Sequence, residues 1–180
     1  MSILPKALLL IAALGLAACN NPNRYGTGSG ADGASGANGS GATGSGVDTT
    51  GLGDPSNPAS VAYFNQTVGD RVLFVVDQST LTDAARATLG GQAQWLTANP
   101  DYAIIIEGHA DEQGTRDYNI ALGARRADSV KNYLIAQGVA SNRMQTVSYG
   151  KERPIAVCSE ESCYAQNRRA VTVLSIGAGA

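Results

Sequence analysis

The stretch EGHADEQGTRDYN, Glu107 to Asn119, places the single histidine of the chain among Glu107, Asp111 and Glu112. Several kinds of chemistry use residues of these types. A metal centre could draw on His109 and Asp111, but no second histidine is available to complete a nitrogen- or sulfur-rich shell, so no metal site is expected. A Ser-His-Asp centre could take His109 as base, yet the chain carries no recognisable nucleophile elbow. Hydrolysis by paired carboxylates could use two of Glu107, Asp111 and Glu112. Against that, Glu107 ends a strand and Asp111 suits the capping of a turn through its own backbone. The remaining use is a socket that recognises charge.

The helix that follows bears on this choice. Asn119, Leu122 and Arg126 stand at i, i+3 and i+7, on one helical face whose first turn adjoins Asp111. A loop carboxylate facing a helix guanidinium can hold a zwitterion, Asp111 taking the ammonium and Arg126 the carboxylate in a two-pronged hydrogen bond. Equally, Asp111 and Arg126 could pair with each other. The residues alone leave both open.

The elements that must position these groups lie between about Ser60 and the C-terminus. VLFVV, Val72 to Val76, reads as a short buried strand. Thr82 caps a helix running to about Ala98, with Ala85, Leu89, Ala93 and Leu96 on one face, and Asn99-Pro100 ends it. Gly90-Gly91 inside that helix cost about 1 kcal/mol each. YAIIIEG is a second buried strand. The next helix spans about Asp117 to Gln137, with Gly138 as its stop. MQTVSYG and AVTVLSI give two more strands, the last entered through YAQNRR. Strands alternating with helices predict an α/β domain, a two-layer sandwich with a small mixed sheet and helices on one face. Cys158 and Cys163, with four residues between them, read as an oxidised pair in an exported chain, stabilising by about 2 kcal/mol.

Export is indicated at the other end. MSILPKALLLIAALGLAAC has a lysine and then an apolar run too short for the roughly 20 residues of a spanning helix, so it reads as a signal peptide, residues 1–18. Leu16-Ala17-Ala18-Cys19 matches the lipobox of bacterial lipoproteins, with Cys19 the acylated residue and several acyl chains forming a durable anchor. Residues 19–58 are rich in Gly, Ser, Ala and Asn, and too poor in apolar side chains to offset their ordering entropy. They are expected to form a tether with an r.m.s. span of roughly 35 Å. Residues 59–180 form the expected domain. A net charge of −2 over 180 residues provides no basic field for nucleic acid.

EGHADEQGTRDYNIALGARRADSVKNYL, VSYGKERP and NRRAVTVL resemble the OmpA C-terminal-like family, in particular its peptidoglycan-associated lipoproteins from Gram-negative bacteria. The family pattern N-x-x-L-x-x-x-R-A-x-x-V falls on Asn119, Leu122, Arg126, Ala127 and Val130, and the likeness covers nearly all of Asp70 to Ile176. It implies non-covalent binding of peptidoglycan stem peptides through meso-diaminopimelate. On this resemblance Asp77 and Asp111 are the acidic contacts, Arg126 the basic one, and Asn119 and Leu122 supporting positions. It also implies no catalysis and no cofactor beyond the lipid on Cys19. It places the chain on the periplasmic face of the outer membrane in the Tol–Pal system, acting in envelope integrity and cell division with the TolB propeller as partner. By the same analogy, Asn20 after the cysteine implies export onward to the outer membrane. Gln113 departs from the family arginine, with Arg116 a candidate replacement, and the Cys158–Cys163 loop is not found in every member. The alternatives are a wall anchor outside the Tol system and a cell-wall hydrolase.

Overall fold

The computed structural model describes residues 52–176. The expected signal peptide, the lipobox with Cys19 and most of the tether lie outside the described residues. The end of that expected tether is different: residues 52–58 belong to the folded unit. The Trp95 indole N–H donates to the Pro58 carbonyl (2.7 Å), the Tyr102 hydroxyl donates to Ala59 (2.9 Å), and Ala62 N–H reaches Leu52 (3.2 Å). One core aromatic, Trp95, thus fastens the end of a segment whose composition suggested only linker, and Tyr102 holds the residue after it. A helical turn, α1 (Val61–Tyr63), then continues as a π-helical turn over Phe64–Gly69.

The sheet consists of β1 (Arg71–Leu73), β2 (Tyr102–His109), β3 (Met144–Gly150) and β4 (Arg169–Ile176), in the order β1-β4-β2-β3. β2 runs parallel to β3 and antiparallel to β4, and β1 is antiparallel to β4. The sheet is therefore mixed, as expected. Alternation along β2 buries Tyr102, Ile104 and Ile106 on one face. Against that face lie α2 (Asp83–Ala98) and α3 (Arg116–Ala136), contributing Leu89, Leu96, Val130 and Leu134 to one core cluster. Each such buried side chain contributes about 1.5–3 kcal/mol. On the opposite face Val173 remains exposed.

Both long helices have local reasons for their limits. The Thr82 and Thr115 hydroxyls accept the N–H groups of Ala85 and Tyr118, satisfying first-turn donors. At the end of α3, Gly138 (φ 97°) lets Val139 N–H reach Leu134 and Gly138 N–H reach Ile135, a Schellman closure. Gly90 and Gly91 do not interrupt α2.

The predicted strand Val72–Val76 is cut short. Regular pairing stops at Leu73, Val75 and Val76 are 44% and 51% exposed, and residues 75–78 make a turn closed by Gln78 N–H on Val75. Its apolar residues suggested burial, but the chain turns there to carry a different group. α4 (Glu161–Asn167), a seven-residue helix leading into β4, has no counterpart among the elements predicted from the sequence. Cys158 and Cys163, just before and within it, are joined by a disulfide.

A close approach fixes how α3 sits on the sheet. A Cβ built on Gly108 would stand 1.8 Å from the Gly123 carbonyl oxygen, and one on Gly123 would stand 2.4 Å from Ser148 Oγ. Backbone therefore meets backbone where α3 crosses β2.

Candidate functional site

The turn after β1, the loop after β2 and the first two turns of α3 meet around a cleft of about 300 Å³. Val76, Asp77, Asp111, Gln113, Gly114, Tyr118, Asn119 and Leu122 line it. Two larger hollows, about 480 Å³ against α2 and about 400 Å³ beside β1, contain no acidic side chain. Four of the five predicted ligand residues, Asp77, Asp111, Asn119 and Leu122, thus share one cleft. The fifth, Arg126, lies one turn further along α3 and does not line it.

Asp77 occupies the left-handed region (φ 58°), which Asp enters more readily than most non-glycine residues, and its surroundings hold it there. The Tyr118 hydroxyl from α3 donates to its carboxylate. The main enforcement comes from below. Arg126 is fully buried and donates from Nε to Gln78 O (2.8 Å), from Nη1 to His109 O (2.8 Å) and from Nη2 to Val75 O (3.2 Å). One guanidinium thereby ties both ends of the Asp77 turn to the end of β2. The Phe74 ring lies 5.2 Å away, within cation–π range.

Arg126 makes no ion pair with a carboxylate among the described residues. Burial in low dielectric pulls its pKa down to about 10, with Asp111 opposing and Arg168 adding to the shift. Asp111 pairs instead with Arg168 (3.1 Å), both side chains being largely buried, and accepts Gln113 N–H at 3.3 Å. Asp111 and Arg126 therefore form no direct ion pair, although the nearby Asp111 and Asp77 charges partly stabilise the guanidinium. Burial works against the Arg168 charge, but the Glu161 and Asp111 carboxylates outweigh it and raise its pKa. Arg168 and Glu161 are the residues that sequence reasoning missed. Arg168 stood in plain view in NRR, but nothing local linked it to Asp111, 57 positions earlier.

Asn119 donates to the Gln113 carbonyl (2.6 Å), shaping the loop, while its buried Oδ1 has no protein partner. Gln113 lines the cleft, whereas Arg116 is exposed, reaches Glu152 (3.2 Å) and does not line it. The carboxylates considered for hydrolysis are held apart by different partners. Glu107 lies beside His109 (3.5 Å), Asp111 bonds Arg168, and Glu112 accepts from Asn167 (2.6 Å). Among the described residues no cluster of His, Cys, Asp and Glu suits a metal.

His109 serves the site through its carbonyl. Its ring is 1% exposed, neither nitrogen has a hydrogen-bond partner, and burial, with Arg169 and Arg153 adding, lowers its pKa to about 4. The ring is therefore neutral near pH 7, and its approach to Glu107 is not an ion pair. The unfolded chain takes up this proton near pH 6.5 and the folded chain only near 4. Stability is thus complete above about 6.5 and falls as pH drops towards 4, by at most about 3 kcal/mol. Urea midpoints between pH 7 and 4 should show this decline, and His109→Phe should flatten it. Equal slopes in the two proteins would remove histidine as its source.

Comparison with known proteins agrees with this architecture. The model of the OmpA family matches residues 73–168. A peptidoglycan-associated lipoprotein of Rhizobium meliloti is 56% identical over 135 residues, covering 73% of this chain and 76% of its own length. One from Agrobacterium fabrum is 47% identical over 175 residues, 97% of this chain and 89% of that protein. The crystal structure of the Burkholderia pseudomallei peptidoglycan-associated lipoprotein superposes with a TM-score of 0.60 at 39% identity, covering 68% of this chain and all of that one. The C-terminal domain of Helicobacter pylori MotB shares the fold at 23% identity, with a TM-score of 0.56 over 61% of this chain and 86% of that one. The chain belongs to the OmpA family, among its peptidoglycan-associated lipoproteins.

Proposed function

We propose that this chain is a lipoprotein, acylated at Cys19 and held on the periplasmic face of the outer membrane, whose folded domain binds peptidoglycan non-covalently. Its ligand is the meso-diaminopimelate side chain of the stem peptide. One observation carries the reading: two carboxylates, Asp77 and Asp111, edge a cleft while a buried guanidinium without a carboxylate partner, Arg126, stands behind its wall. A buried cation lacking a counter-ion favours an anion nearby, and the cleft carboxylates favour an ammonium. A side chain ending in both charges satisfies each pole. The arrangement supports binding rather than bond cleavage: of the three carboxylates considered for hydrolysis only Asp111 lines the cleft, while Glu107 and Glu112 do not. Many such grips along one wall act together, each held at high local concentration by its anchor. Partnership with TolB in the Tol–Pal system, serving envelope integrity and division, belongs to the same proposal.

The test is calorimetric titration of the full chain in detergent with stem peptides ending in meso-diaminopimelate or in lysine. Lysine keeps the ammonium but lacks the terminal carboxylate. The lysine peptide should bind more weakly by about 2–5 kcal/mol, and Asp111→Asn should weaken the diaminopimelate peptide to a similar degree. Equal affinity for the two peptides would defeat the two-ended clamp. Release of sugars or peptides from intact peptidoglycan would show a hydrolase instead.

A further inference from the structure

The loop closed by Cys158 and Cys163 enters α4, a helix of seven residues and too short to hold its shape unaided. Its N-cap, Glu160, makes no side-chain capping bond. The disulfide fastens its start. Asn167 fastens its end, accepting the N–H groups of Ile155 (2.9 Å) and Ala156 (3.2 Å) and donating to Ala156 O (2.8 Å). Between the two fastenings Glu161 accepts from Arg168, and Arg168 reaches Asp111 in the cleft. A disulfide-held surface helix is thus connected to the ligand carboxylate through one buried guanidinium.

The charges give the connection a direction. Asp111 and Arg168 alone form a closed pair that presents little net field to an incoming ammonium. Glu161, on another nitrogen of the same guanidinium, shares that positive charge. Asp111 then keeps a net negative field towards the cleft. We infer that Glu161 is a positioning residue for Asp111, acting through Arg168, and that the Cys158–Cys163 disulfide serves the site by holding Glu161 there. This rests on the reading that Asp111 receives the ammonium of the ligand.

The probe is a stem peptide ending in meso-diaminopimelate, titrated against the full chain at low and high salt. The Glu161 side chain is 73% exposed, so its influence is partly screened. Glu161→Gln should weaken binding by roughly two- to fivefold at low salt, and by less at high salt. Cys158→Ser/Cys163→Ser should cause a similar loss. Combined with Glu161→Gln it should add nothing further, because both act along one route. A merely structural disulfide would give additive losses that ignore salt, and that result overturns the inference. So does unchanged affinity in Glu161→Gln, a variant that keeps the disulfide and alters an exposed position. In both cases wild-type binding leaves the proposed function standing, whereas failure of the wild type to bind sinks the two together.

Discussion

Arg126→Ala is expected to lower the unfolding free energy by about 3–5 kcal/mol and to abolish measurable stem-peptide binding. Truncation strands the carbonyls of Val75, Gln78 and His109 in a buried place, each at a cost of about 1–3 kcal/mol before water or relaxation recovers part of it. Relief from burying a charge offsets a further part. Binding fails for two reasons at once, because the positive pole disappears and the turn presenting Asp77 loses its tie. Arg126→Lys separates the two. It keeps the charge but cannot span three carbonyls with a planar fork, so it should recover some stability and little affinity. Urea unfolding followed by circular dichroism, with titration of the folded protein, reads both effects. A midpoint unchanged in Arg126→Ala would refute the structural half of this account.

Gly108→Ala should be as damaging, although it adds one methyl group. That methyl would stand 1.8 Å from the Gly123 carbonyl oxygen and 3.2 Å from Ala127 Cβ, and backbone cannot swing aside as a long side chain can. α3 must lift from β2, at a cost of about 3 kcal/mol or more, the upper range for overpacking. Because α3 carries Tyr118, Asn119, Leu122 and Arg126, the cleft should distort with it. Gly90→Ala is the matched control. Its new Cβ would meet nothing within 4 Å, and a half-buried helical glycine with open space beside it gains roughly 0.5–1 kcal/mol when replaced by alanine. Thermal unfolding should therefore move in opposite directions for the two variants. A tolerated Gly108→Ala would mean that α3 does not pack against β2 as described.

The sequence by itself determined the elements with strong local signals. Thr82 precedes one helical stretch, Gly138 follows the other, and YAIIIEG is a short β-branched apolar run, so these boundaries fall within a residue or two of the structure. The spacing of Asn119, Leu122 and Arg126 likewise fixed one helical face, and family likeness placed the acidic partners. The tertiary structure decided which groups touch. The strand expected through Val76 ends at Leu73, and the chain turns over residues 75–78, where Arg126, 51 positions from Val75, holds its carbonyl. The partner of Asp111 proved to be Arg168 and not Arg126, because β4 lies beside β2 and brings the start of one strand to the loop after the other. The end of residues 52–58 joined the fold where Trp95 found in the Pro58 carbonyl an acceptor for its indole N–H at the edge of an apolar core, and Ala62 N–H reached Leu52. Local periodicity and caps act over a turn or two and can be read in order along the chain. Ion pairs and buried hydrogen bonds form between whatever the sheet topology sets side by side, and that adjacency exists only once the chain has folded.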